Sequence, residues 1–95
     1  GLDPVAREHF MQFVNRLGRQ AGAPTLVLVT HHVEEIMPVF THVLLLRDGA
    51  VVAAGRKQMM LTAKHLTATF RAPVKPLRQG GRYLLKVAAN RRVVV

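Results

Sequence analysis

The stretch Thr25–Ile36, TLVLVTHHVEEI, decides how the rest of the chain is read. Thr25 leads into Leu26–Val29, a continuous apolar and largely β-branched run. Such a run is expected to be a strand buried on both faces of a parallel sheet. It ends in Thr30, His31 and His32, and a short helical turn carrying Glu34 and Glu35 is expected next. Open α/β sheets bind ligands in the crevice beyond the carboxyl ends of their strands. The polar cluster at residues 30–35 is therefore where chemistry is expected.

Upstream of it, Asp3-Pro4 is a strong helix start, with a carboxylate at the N-cap and proline at the first helical position. Phe10, Phe13, Val14, Leu17 and Ala21 recur at helical spacing and predict one buried face. Gly22 is placed to end this helix as a left-handed cap, and Pro24 prevents its continuation. Helix, short loop and buried strand make half of a βαβ unit.

Downstream, Pro38 stops the short turn. Val43–Leu46 and Val51–Ala54 flank Asp48-Gly49, a strong hairpin signal, so the parallel sheet is expected to hand over to an antiparallel edge pair ended by Gly55. Residues 56–72 read as helical pieces that bury Met59, Met60, Leu61, Leu66 and Phe70, with Thr62 as an N-cap. Pro73 and Pro76 mark a change of regime. Beyond them Val74–Arg78 and Arg82–Val87 flank Gly80-Gly81, a weaker hairpin candidate, and the final NRRVVV has no usable period. The expected organisation is residues 1–72 as one unit and residues 73–95 as a basic extension with a small hairpin and tail.

Ninety-five residues, 49% of them hydrophobic, suffice for one small core. No run approaches the roughly 20 apolar residues of a membrane-spanning helix. With no cysteine, disulfide frameworks and thiolate metal sites are excluded. The net charge of +9 is uneven: residues 1–55 hold four arginines against five acids, whereas residues 56–95 hold ten Lys and Arg and no acid. Such asymmetry can mark a nucleic-acid or anionic-membrane contact, or only a solvated face. The basic half has only Phe70 and Tyr83 as aromatics, a thin platform for stacking single-stranded nucleic acid, and no RNP-type or helix-turn-helix signature. No nucleic-acid partner is expected; a small basic nucleic-acid-binding module remains the alternative reading.

Four segments in series carry a family resemblance. GLDP and its amphipathic helix resemble the D-loop that follows the Walker B strand of ABC-type ATPases; LVLVTHHVEEI resembles their switch-histidine strand and loop; VLLLRDGAVVAAG resembles the edge hairpin that comes next. LTAKHLTATFRAPV is similar to the terminal helix of importer-type subunits, closest to those for iron chelates, cobalamin or molybdate. The resemblance covers residues 1–74 and implies the C-terminal part of a P-loop NTPase fold.

It also implies site residues. His31, directly after Thr30, takes the switch position that contacts the γ-phosphate of ATP. Asp3 takes the D-loop position at the dimer interface, while serving equally as an N-cap. Without the resemblance His31 reads as a loop histidine with no ligand. His31 and Glu35 are four apart, but the turn begins too late to align them and no third ligand of known spacing appears, so no metal site is expected. Glu34 and Glu35 are expected to offset the positive end of the short helix.

No GxxxxGK[ST] phosphate loop, Q-loop, LSGGQ-type signature or Walker B pair occurs in the chain. The implied ATP and Mg would be bound mainly by preceding segments, and the chain alone is expected to be inactive. The implied partners are a second ATPase subunit and a membrane permease, with the subunit cytoplasmic and peripheral on the inner face of the membrane. Soluble members of the superfamily without a transport role form a further alternative. The unpaired central strand predicts self-association of the isolated chain.

Overall fold

The computed structural model describes residues 3–88. Helix α1 spans Pro4–Arg19, started by Asp3, whose Oδ1 accepts the Ala6 N–H at 2.8 Å. Arg16 and Arg19 lie in its last turn, where positive charge suits the helix dipole. The helix does not run on to a glycine cap. Gln20 already has extended backbone, its N–H closes a tight bond to the Leu17 carbonyl at 3.3 Å, and Gly22 takes its positive φ of 75° in the turn beyond.

The expected strand over Thr25–Val29 is not formed. The segment is extended, but its peptide groups join no ladder, and Val27 and Val29 are 85% and 91% exposed. Apolar, β-branched composition disposes a segment to pair; the strand exists only once a neighbour supplies the hydrogen bonds. Among the described residues no strand lies beside it, so neither the parallel sheet nor the βαβ half-unit is present.

Both sheets are two-stranded antiparallel hairpins. Strands β1 (His42–Arg47) and β2 (Ala50–Arg56) are joined at Asp48-Gly49, with φ of 52° and 75°. Two successive left-handed residues are what a tight hairpin turn matched to strand twist demands. A bulge lies where Leu45 faces Ala53 and Leu46 faces Val51. Helices α2 (Lys57–Met60) and α3 (Ala63–Phe70) follow, α3 started by Thr62, whose hydroxyl accepts the His65 N–H at 3.3 Å. Strands β3 (Val74–Gln79) and β4 (Arg82–Val87) complete the chain's described elements.

The core is centred on α3. Leu66 is fully buried among Val33, Leu45, Leu61, Val74 and Tyr83, so both hairpins and the 33–35 turn meet there. Thr67 ties α3 to β3 by accepting the Val74 N–H at 3.2 Å. Met59 and Phe70, expected inside, are 67% and 38% exposed. Helix α2 is a single turn, so it turns Met60 inward against Gly55 and Met59 outward.

Helix α1 departs further from expectation. Phe10 and Phe13 are 49% and 52% exposed, while Met11 is buried. The helix is tied to the rest by polar groups, by a close approach at Gly18 and by apolar residues that line a small cleft with Leu28 and Met37. Asn15 Oδ1 accepts the Val39 N–H at 2.8 Å, and a side chain at Gly18 would collide with Val39. Without a sheet beneath it the Phe10–Phe13 face is only half covered: Phe10 lines that cleft beside Met11 and Val14. Among the described residues no helix is long and apolar enough to cross a membrane.

Candidate functional site

The loop after Val29 is held by a chain of hydrogen bonds that begins on Thr30. Its hydroxyl accepts the His32 N–H at 2.9 Å and donates to Glu35 Oε1. Glu35 Oε2 accepts from Arg7 Nε at 2.6 Å, and Glu34 Oε1 from Arg7 Nη2 at 3.2 Å. One guanidinium on α1 thus clamps both carboxylates of the turn. Such charge-assisted bonds are shorter and stronger than neutral ones. Below them Val33 and Met37 are buried, and the Glu35 and Ile36 N–H groups bond back to His32 and Val33 carbonyls at 3.0 Å. The turn Val33–Glu35 is a single 3₁₀ turn with no side-chain cap. Glu34 and Glu35 are therefore partners of Arg7 rather than caps of a helix.

These contacts set the electrostatics. Burial pushes the Glu35 carboxyl up, but the Thr30 hydroxyl and Arg7 outweigh it and hold the group below the usual carboxylate range. The Arg7 guanidinium is raised, mainly by its bond to Glu35. Both stay charged at neutral pH. His32 Nδ1 stands 3.5 Å from Glu34 Oε1.

His31 lies between Thr30 and His32, the two residues joined by the first of these bonds. It is exposed and its ring makes no hydrogen bond among the described residues. A histidine on a pinned loop with both ring nitrogens available can meet an external acceptor such as a phosphate oxygen. Asp3 is exposed at the start of α1, and no hydrogen bond or ion pair joins it to His31. No group of three or more His, Asp or Glu side chains among the described residues is arranged to hold a metal ion.

The sequence reading overlooked Arg7, because nothing in its spacing foretells a contact 28 residues away. It overlooked Arg82 equally. Arg82 on β4 donates to both Glu8 oxygens, at 2.7 and 3.1 Å, and holds the Glu8 carboxyl below its ordinary value together with Gln12. These ion pairs rim an open groove of about 430 Å³ between α1, the turn and the second hairpin, with Met11 and Tyr83 among its walls. Neither Asp3 nor His31 lines it.

The curated relatives that match over most of this chain are ABC transporter ATP-binding proteins. No protein-family model matches the chain. Among the relatives, YmeB of Lactococcus lactis, an uncharacterized ABC transporter ATP-binding protein, is 37% identical over 90 residues, which is 95% of this chain and 34% of YmeB. YlmA of Bacillus subtilis, described in the same words, is 42% identical over 77 residues, 81% of this chain and 29% of YlmA. The thiamine import ATP-binding protein ThiQ of Vibrio parahaemolyticus is 35% identical over 74 residues, 78% of this chain and 31% of ThiQ. The chain spans about a third of the length of the curated relatives it matches.

Proposed function

We propose that the chain is the part of an ABC-type ATP-binding subunit that begins at the D-loop, within a P-loop NTPase fold. The whole subunit would couple ATP hydrolysis to solute transport. The observation that carries this reading is the 90-residue match to an ABC ATP-binding protein. A match of that length within 95 residues takes in the switch-histidine, edge-hairpin and terminal-helix segments in the family's order. Import is the direction we favour, on the likeness of Leu61–Val74 to importer subunits and on the thiamine-import name of one relative.

In this reading His31 donates a hydrogen bond to the γ-phosphate and stabilises charge that grows there during transfer. Thr30, Glu35 and Arg7 position the loop, so that the imidazole need not be organised at the moment of reaction. Asp3 caps α1 and faces the second subunit of a homodimer. Mg and most of the triphosphate would be held by a phosphate loop and Walker B carboxylates that this sequence does not contain, so the chain by itself does not hydrolyse ATP. The subunit would sit on the cytoplasmic face of the membrane, docked on a permease. The unpaired 25–29 segment would pair with strands of the same subunit.

The test is the reading frame upstream of Gly1. A GxxxxGK[ST] loop and an LSGGQ-type segment in frame support the proposal. A start codon at Gly1 with neither motif overturns it.

A further inference from the structure

Residues 75–87, nearly all of the β3–β4 hairpin, lie beyond the segments that carry the family resemblance, and the nucleotide reading gives them no task. The hairpin nevertheless reaches both α1 and the His31 loop. Gly80 and Gly81, at φ of 58° and 79°, turn the chain tightly, and Arg82 is the first residue after them. Tyr83 beside it is buried in one cluster with Val33, so β4 packs directly on the 33–35 turn. The tip comes down on the segment beyond that turn, where a Cβ at Gly81 would stand 3.6 Å from the Pro38 ring.

From this position the Arg82 guanidinium grips two elements at once. Nη1 and Nη2 donate to the two Glu8 oxygens at 2.7 and 3.1 Å, and Nη2 also reaches the Glu34 carbonyl at 3.4 Å. Glu8 adjoins Arg7, whose own guanidinium holds the Glu34 and Glu35 carboxylates. The turn is thus held from α1 through its side chains and from β4 through its backbone. The Arg82 and Glu8 side chains are only 32% and 35% exposed. Isolated surface ion pairs contribute little, but a two-pronged arginine–carboxylate pair within a network is the exception.

We propose that Arg82 is a positioning residue for His31: the β3–β4 hairpin straps α1 to the 33–35 turn and so keeps the His31 loop in one arrangement. Thr30 and Glu35 fix the loop internally, whereas Arg82 fixes it against the helix that Asp3 caps. Without the strap the loop samples other arrangements, and the population with His31 in place falls. The effect of Arg82 on turnover rests on the nucleotide reading; its effect on loop order does not.

Amide hydrogen exchange of the 95-residue chain tests loop order, read at His32, Glu35 and Ile36, whose N–H groups bond within the loop. Arg82→Gln should speed their exchange about two- to fivefold, as loss of a well-made ion pair implies. Glu8→Gln should do the same, and the double variant should be no looser than either single one, because the two side chains act through each other. Arg71→Gln removes the ion pair to Asp48, away from the loop, and should leave these amides unchanged. In the full-length subunit Arg82→Gln should lower kcat by a similar factor with ATP affinity unchanged, and Arg71→Gln should match the parent in both. Unchanged exchange in Arg82→Gln, equal acceleration in Arg71→Gln, or parental kcat in Arg82→Gln overturns the proposal and leaves the nucleotide reading standing. Parental turnover in a parallel His31→Ala variant overturns the nucleotide reading, and the turnover role of Arg82 with it.

Discussion

Truncating Leu66 to alanine tests where the core lies. Leu66 has no exposed surface and touches both hairpins and the 33–35 turn through its cluster. Removing a fully buried leucine side chain forfeits about 1.5–3 kcal/mol of transfer free energy. The cavity left behind adds to that, and measured Leu→Ala losses in cores run to about 2–5 kcal/mol. Four elements fix the walls around Leu66, so little collapse is possible and about 3–4 kcal/mol is expected. A 95-residue chain has a total stability of about 5–14 kcal/mol, so the variant loses a large share of it. Phe13→Ala is the matched control. Phe13 is 52% exposed, which leaves about 1 kcal/mol to lose. Urea unfolding of the two variants beside the parent chain measures both. A larger loss for Phe13 than for Leu66 would refute the placement of the core on α3 and put it beneath α1.

The remaining predictions concern the cap, acid and association. Asp3→Ala should cost the isolated chain about 1 kcal/mol while Asp3→Asn costs little, since asparagine also caps; equal losses in thermal melts would show that the cap is not what Asp3 supplies. Glu8 and Glu35 are depressed in the folded chain. Their contribution is fully present above the ordinary carboxylate pKa of about 4.3 and is lost as pH falls below it, through the lowered folded values. Urea midpoints should therefore drop between pH 5 and pH 3, less steeply in Arg82→Gln; a flat profile would contradict the ion pairs. The isolated chain should self-associate through the exposed 25–29 segment and the Phe10–Phe13 face, and the association should tighten as salt screens the +9 charge. A clean monomer in sedimentation equilibrium at high protein and salt concentration would show that these surfaces are closed within one chain.

What was legible in the sequence was local. Asp3-Pro4, Asp48-Gly49, Thr62 and Gly80-Gly81 each encode a turn or cap within four residues, and each appears where it was read. The misread positions depend on partners elsewhere. Leu26–Val29 has the composition of a central strand, yet pairing requires neighbours that composition cannot supply. Helical spacing selected Phe10 and Phe13 as inward, but which stripe is covered depends on what lies beneath the helix. The Arg7 clamp and the Arg82–Glu8 pair join residues 28 and 74 apart and leave no periodic trace. The place of His31 after Thr30 is legible in the sequence, its role rests on the family resemblance, and the structure adds how the loop is pinned by Thr30, Glu35 and Arg7.

The most direct measurement of the central proposal is ATP turnover by the full-length subunit carrying His31→Ala, alongside equilibrium ATP binding. Loss of a preorganised donor to the transferring phosphoryl group should lower kcat about 10²–10³-fold, leaving ATP affinity within a few-fold of the parent. His32→Ala should be far milder, because that ring is turned toward Glu34. Turnover by His31→Ala equal to the parent's would contradict the role given to His31 and the family reading of the loop with it.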